Sequence, residues 1–340
     1  MPSKIASPTE KSYSALTPED VAQWMKYGYV IIRNAFSRQQ AEDRMEKLWI
    51  RLGYDPNDAN TWVLERVNMP SHSRVSFSTF APKAWQAICE LSGGYDRLDE
   101  SRLPTFGDDF ICNFGKEEYV GQTINPHTFD NWHVDGDFFK HFLDSPEQGM
   151  LVIPLYSDIA PGGGGTVICP DGMRVIAKHL AEHPEGVSPR MVPVGEKPTH
   201  KGLDWFIEKI QDFPKDSFHE MTGNIGDVVL MHPLMLHSAS KNILRIPRII
   251  TNPRITMKEP FRFAREKPDD YSLIELKTLS LLGVDSLDYK ITGQRELLNP
   301  TRTKIHARMK EQENLRISGR LGAVNLDKVY DINRLEDEVE

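Results

Sequence analysis

Asn131-Trp132-His133-Val134-Asp135-Gly136-Asp137 is the stretch on which the reading of this chain turns. Residues 131–135 read as a strand. Side chains two apart on a strand share a face, so His133 and Asp135 aim one imidazole and one carboxylate at a common point. Two of the three ligands of a 2-His-1-carboxylate facial triad have this form. Such a triad leaves positions open and suits non-haem Fe(II). The tripeptide alone also occurs by chance, and its ordinary reading is an ion-linked pair on a surface strand.

A second stretch adds what the first lacks. Gly226-Asp227 makes a turn, and the apolar run from Val228 reads as a strand that delivers His237 at its far end. Eleven residues on, Arg248 heads a strand expected over 248–255. A buried guanidinium needs an anionic partner, and its planar fork matches a carboxylate bidentately. A dicarboxylic acid bound to a neighbouring metal would supply one. His127, His141, His219 and His232 compete as ligands. Asp137 is the rival carboxylate, although Gly136 before it hints at a bend, and Arg245 is the rival to Arg248.

Around these stretches the chain has 340 residues, 39% of them hydrophobic, and a net charge of −8. This is globular composition with ample core material. The modest acidity speaks against a broad phosphate-binding face, and no basic stripe for nucleic acid is visible. No apolar run is long enough for a membrane span. Cys89, Cys112 and Cys169 form no CxxC pair, which suits a reducing compartment, and with no apolar leader the cytoplasm is expected.

Thr17 as N-cap and Pro18 after it predict a helix that runs to Tyr27 and ends at Gly28. Tyr29–Ile32 then reads as a strand and 41–52 as a second helix, with Met45, Leu48 and Leu52 on one face. Further strands are expected at 110–114, 150–155, 166–169 and 228–231. Many short strands between Gly, Pro and Asp turns predict a sandwich or barrel rather than βαβ units. Helices are expected at 173–183, 202–213 and 304–313. The domain reading is a loose stretch over 1–14 and one domain over 15–300. A helical insertion at 173–219 is read as a lid, and 301–340 as a charged, partly helical tail, solvated from about Asn333. Gly162-Gly163-Gly164-Gly165-Thr166 lacks the Gly-Lys-Ser/Thr of a phosphate loop.

With these residues in hand, the chain resembles the phytanoyl-CoA dioxygenase-like branch of the Fe(II)/2-oxoglutarate-dependent oxygenases. The resemblance runs from Leu16-Thr17-Pro18-Glu19 and Gly28-Tyr29-Val30-Ile31 to about Ile255. The family's HxD, distal His and following Arg fall on His133, Asp135, His237 and Arg248. It implies a mainly β fold with flanking helices (α+β), a double-stranded β-helix of the jelly-roll, cupin-like kind. It further implies that the triad binds Fe(II) and that 2-oxoglutarate chelates the iron with its far carboxylate on Arg248. O2 would be the second co-substrate. The implied outcome is decarboxylation to succinate and hydroxylation, desaturation or cyclisation of an unactivated C–H in a small organic metabolite. Thr166 after the glycine turn becomes a candidate 2-oxoglutarate contact.

Departures are the long separation of Asp135 from His237 and Ala239, where relatives carry a hydroxyl; Ser238 or Ser240 are candidates to replace it. Gln122 and Asn113 are further pocket candidates, and Trp132 is expected to pack on the face away from His133. The resemblance does not make a CoA thioester the substrate, because no basic cluster for its phosphates is visible. A small or medium apolar metabolite, of secondary metabolism, is expected. The competing readings are a halogenase, which would lack Asp135, and a non-catalytic or differently metallated cupin-like binding protein on the same fold.

Overall fold

A computed structural model describes residues 12–102, 104–300 and 302–321. Within them twelve short strands combine with nine α-helices, and every strand pair is antiparallel.

Helix α1 (Pro18–Tyr27) starts as its sequence dictates. The Thr17 hydroxyl accepts the Asp20 N–H, and Asp20 returns a bond to the Thr17 N–H, a capping box. Gly28 ends it at φ 72°, where a Cβ would lie 2.5 Å from the Met173 methyl. Strand β1 (Tyr29–Ile32) follows. The second expected helix is two, α2 (Arg38–Met45) and α3 (Leu48–Leu52). The Ser37–Gln40 capping box starts α2 three residues earlier than expected. Lys47, at ψ 4°, falls outside helical geometry and separates the pair.

The long composite sheet has two ladders. One orders β1, β9 (Val228–Met231), β6 (Met150–Pro154) and β12 (Arg254–Ile255). The other orders β11 (Arg248–Ile250), β5 (Ile111–Asn113) and β2 (Arg66–Asn68). A bridge between Leu155 and Ile250, with Tyr156 N–H donating to the Ile249 carbonyl at 2.9 Å, joins them. The short sheet orders β10 (Leu236–Ala239), β7 (Thr166–Cys169) and β8 (His219–Glu220). A hairpin of β3 (Arg74–Ser76) and β4 (Thr105–Gly107) stands apart.

Three expected strands need correction. Residues 131–135 form no regular strand; only His133 pairs, in one bridge to His237. The run from Val228 does not carry His237 on the same strand. Pro233, with no N–H to donate, sits in a turn after β9, and the chain re-enters the other sheet as β10. Residues 248–255 likewise split around Thr251-Asn252-Pro253 into β11 and β12.

Helices cover the long sheet. Trp24 of α1 is fully buried and donates to the Leu273 carbonyl of α8 (Leu273–Leu282) at 3.0 Å. Lys277 of α8 caps the carbonyls of Met25 and Lys26. Helices α4 (Phe77–Phe80) and α5 (Pro82–Ser92) extend this layer. Helix α6 (Gly172–Glu182) packs on α8 and β10, with α7 (Asp204–Ile210) beside it. Gly172 lies against Leu236 and Cys169, the residues beside His237 and Ile168 in register. Within the 173–219 insertion, expected as a lid, α6 thus packs on the short sheet's outer face with α7 against it. Val187 within it pairs with His141 near the ligand loop.

Helix α9 (Arg302–Ile317) contains the helix expected at 304–313 in the charged tail, and it is docked on the domain. Its buried Glu313 accepts from Arg51 Nε at 2.8 Å and meets His72 Nε2 at 2.7 Å. Of the expected loose amino terminus, Ser14 is held by the Glu90 carboxylate; residues 1–11 and the solvated end from Asn333 lie outside the described residues. No helix among the described residues is long and apolar enough to cross a membrane.

Two buried histidines give the fold a pH dependence. Burial pulls His141 down to about 4. Burial, then the neighbouring Lys277 charge, pulls His232 down to about 3. Unfolded histidine titrates near 6.5, so the unfolded chain binds protons the folded chain refuses. Stability is full above about pH 6.5 and falls as pH drops toward those lower values. Urea midpoints should therefore be lower at pH 5 than at pH 7. His232→Gln should remove about one proton from that dependence; an unchanged slope assigns the effect elsewhere.

Candidate metal centre

The centre is built on one backbone exchange. His133 N–H donates to the His237 carbonyl at 2.9 Å, and His237 N–H returns the bond at 3.0 Å. Directly opposed residues of this kind put their side chains on one face with Cα atoms about 5.5 Å apart, and the two imidazole centroids lie 4.3 Å apart. Asp135 follows two residues after His133, and Gly136, at φ 125°, turns the chain away.

The hydrogen bonds decide which nitrogen faces inward. His133 Nδ1 lies 2.8 Å from the Asn131 carbonyl, and His237 Nδ1 lies 2.9 Å from the Met235 carbonyl. A carbonyl only accepts, so each Nδ1 carries a proton and each Nε2 of a neutral ring presents a lone pair. Both Nε2 atoms point at Asp135 Oδ1, at 3.3 Å from His133 and 3.6 Å from His237. Three electron-pair donors within 4.8 Å of one another repel unless a cation lies among them. Ligands bound at about 2.1 Å to one ion at right angles sit about 3 Å apart, close to these separations. The carbonyls behind the rings supply the outer shell that orients metal-bound histidine.

The electrostatics agree. Burial alone would push the Asp135 carboxyl up, but His133 and His237 together hold it well below the usual carboxylate range. Burial pulls His133 down, and the Asp135 hydrogen bond and charge outweigh it, for a net rise. The centre is polarised to hold positive charge. His237 is 7% exposed, and His133 and Asp135 are half-buried.

The rival ligands are engaged elsewhere. His141 is stacked on Phe139, and its Nε2 lies 2.8 Å from the Gly136 carbonyl, holding the turn after Asp135. His127 bonds the Phe213 carbonyl, His219 packs on Tyr27 and Tyr29, and His232 meets Thr278 at 3.0 Å. Asp137 pairs with Arg302 at 2.7 Å. Trp132 is buried on the opposite face, against Phe129 and Phe218.

Arg248 is 2% exposed. Its Nε donates to the Gly164 carbonyl at 2.8 Å and one terminal nitrogen to the Ile111 carbonyl at 3.0 Å. Among the described residues no carboxylate pairs with it, and burial lowers it to about 10. Arg245 instead sits at φ 52° in a loop and pairs with Glu117 at 2.5 Å.

Thr166 pairs with Ala239 and Ile168 with His237, so alternation puts Thr166 on the His237 face and Ser238 and Ser240 on the other. Asn113, opposite Arg248, spans to the short sheet by donating to the Ser240 carbonyl at 2.8 Å. Gln122 lies exposed, on the Glu118 carbonyl.

No family model matches the chain, and no curated protein matches it. Among solved structures, HygX from Streptomyces hygroscopicus with nickel, 2-oxoglutarate and hygromycin B bound is 12% identical. The match covers 81% of this chain and 98% of that one, at TM-score 0.40. EctD from S. alaskensis, in its apoform, is 15% identical over 78% of this chain and 88% of its own, at TM-score 0.40. EvdO2 from Micromonospora carbonacea var. aurantiaca is 14% identical over 76% and 98%, at TM-score 0.41. At these scores the likeness is loose, and the centre stands on this chain's own geometry.

Removing a ligand should be decisive. Wild-type protein should bind one Ni(II), and His133→Ala or Asp135→Ala should weaken it by about a hundredfold or more, since even outer-shell losses cost about 10–100-fold. His127→Ala should leave it unchanged. Calorimetric titration reads all three, and undiminished binding by both ligand variants rejects the centre.

Proposed function

We propose that the chain is an Fe(II)/2-oxoglutarate-dependent oxygenase of the phytanoyl-CoA dioxygenase-like kind, acting on an unactivated C–H bond of a small organic metabolite. The observation that carries this is Arg248: a buried guanidinium with no carboxylate partner among the described residues, on the sheet that faces the metal centre. A buried charge left so is costly. A diacid that reaches from the metal to Arg248 offsets that cost.

The strand order supports a double-stranded β-helix. The 133 segment, β10, β7 and β8 make one wall, and β9, β6, β11 and β5 the other, all antiparallel. Asn113 and Arg248 cross from the long wall to the short one at Ser240 and Gly164.

His133, Asp135 and His237 would hold Fe(II), with a neutral Nε2 from each imidazole and an oxygen from the carboxylate. Arg248 would receive the far carboxylate of 2-oxoglutarate, with Thr166 beside it on the same face. Bound Fe(II) and 2-oxoglutarate supply oxidising power from O2, with release of succinate and CO2. The chain's own part is to orient the donors, exclude bulk water and place the substrate. Hydroxylation is the primary outcome; desaturation and ring closure use the same site. The three buried free cysteines fit a reducing compartment, and we place the protein in the cytoplasm.

Anaerobic Fe(II) with 2-oxoglutarate should give a weak visible charge-transfer band, and aerobic turnover should release succinate. Arg248→Ala should raise the 2-oxoglutarate concentration for half-saturation of the band by roughly a hundredfold, the loss of about 3 kcal/mol. Ni(II) affinity should stay within about twofold, and Arg248→Lys should recover part of the loss. A half-saturation unmoved in both variants takes the co-substrate role from Arg248.

A further inference from the structure

Register places a second arginine, solvent-exposed at the sheet's end, on the same face as Arg248. Leu151 and Leu155 lie four residues apart along one strand path and share a face. Leu155 opposes Ile250 and Leu151 opposes Arg254, so Arg254 shares a face with Ile250 and, two residues back, with Arg248. That is the face turned toward the short sheet, because Arg248 bonds Gly164 there.

The two arginines do different work. At about 3.3 Å per residue, Arg254 lies about 20 Å further along the sheet than Arg248. A five-carbon diacid cannot span both. Arg254 is instead at the end where the ligand loop feeds into β6. Its guanidinium lies 4.3 Å over the ring of Phe138, the third residue after Asp135. Stacking fixes the plane of the fork and leaves its N–H edge free.

Charge around it is uneven. Arg102, Arg302 and Arg74 all oppose the Arg254 charge, and Asp137, more weakly, favours it. Each of those three has an aspartate: Asp99 at 3.8 Å, Asp137 at 2.7 Å and Asp109 at 3.9 Å. Among the described residues Arg254 makes no hydrogen bond or ion pair. An otherwise acidic chain, at net −8, thus presents a positioned guanidinium near its metal centre that, among the described residues, has no carboxylate in ion-pair contact, Asp137 acting on it only at longer range. Partial burial and the three arginines lower its pKa, against the smaller pull of Asp137.

We infer that Arg254, stacked on Phe138, anchors an oxyanion group of the substrate. The substrate class is a metabolite bearing a carboxylate or a phosphate or sulfate monoester, with its reacting C–H carried inward to the metal. This rests on the oxygenase reading for the reaction, but not for the anion site.

Two measurements separate the two. In the first, sulfate, phosphate and acetate are titrated into the metal-free full chain at constant ionic strength, and thermal unfolding is followed. At least one oxyanion should stabilise the wild type. Arg254→Gln should need at least tenfold more of it, and Arg254→Lys an intermediate amount; which anion acts separates the ester from the carboxylate. Equal responses of wild type and Arg254→Gln overturn the proposal. In the second, succinate release is screened with metabolites paired as the charged acid or ester and its uncharged methyl ester or alcohol. The charged members should stimulate at least tenfold better, with the preference reduced to about twofold in Arg254→Gln. Equal stimulation by both members in the wild type overturns the proposal. Absence of any succinate and of the Fe(II)–2-oxoglutarate band in the wild type rejects the oxygenase reading alone, and the titration still decides Arg254.

Discussion

Everything at the centre depends on the pair of backbone hydrogen bonds between His133 and His237. They join two segments more than a hundred residues apart in sequence. The closure entropy of so long a loop is repaid elsewhere, by the β6–β9 and β7–β10 ladders that hold each segment in place. Once that exchange forms, strand alternation carries both imidazoles to one side. The Asn131 and Met235 carbonyls then choose the inward nitrogen of each ring. Asp135 needs only the Gly136 turn, pinned by His141, to complete the set.

The polar residues behind the centre are organised by the same economy. Asp227, 1% exposed, accepts from Arg33, Asn34 and Asn224 and fixes the turn that enters β9. Gly226 before it has no room for a side chain: a Cβ would lie 2.2 Å from the Phe36 carbonyl oxygen. Glu275 on α8 is shared by Arg97 and Arg265, and Glu313 by Arg51 and His72. These buried charges are all compensated within the chain. Among the described residues Arg248, like Lys277 and Arg316, meets only backbone carbonyls; unlike them it reaches across to Gly164, beside the sheet that carries His237, where a ligand carboxylate can meet it.

How far this was legible from sequence differs by element. The α1 cap, Gly28 and strands β6, β7 and β9 follow local rules, and local rules found them. HxD spacing and the histidine after the apolar run are short-range patterns too, and the fold brings His133, Asp135 and His237 together. The geometry of delivery was not legible. Neither the single bridge at His133 nor the change of sheet at Pro233 has a period to detect. Strands β2, β3, β4 and β8 are two or three residues long and leave no alternation. Helix α9 was legible as a helix but its docking was not, because Glu313 and Arg316 look solvent-facing until Arg51 is brought beneath them.

The mouth shows the limit most clearly. Arg74, Arg102, Arg254 and Arg302 are scattered over the sequence, and no basic run marks them. A count of charges therefore calls this an acidic protein with an apolar substrate. Pairing in space changes the sum: three of the four are neutralised by Asp109, Asp99 and Asp137, and Arg254 is left with an aromatic face. Its neighbour Phe138 belongs to the loop that leaves the metal ligands. Anion recognition and ligand placement thus share one segment of chain, and a substrate held at Arg254 is held in register with the centre.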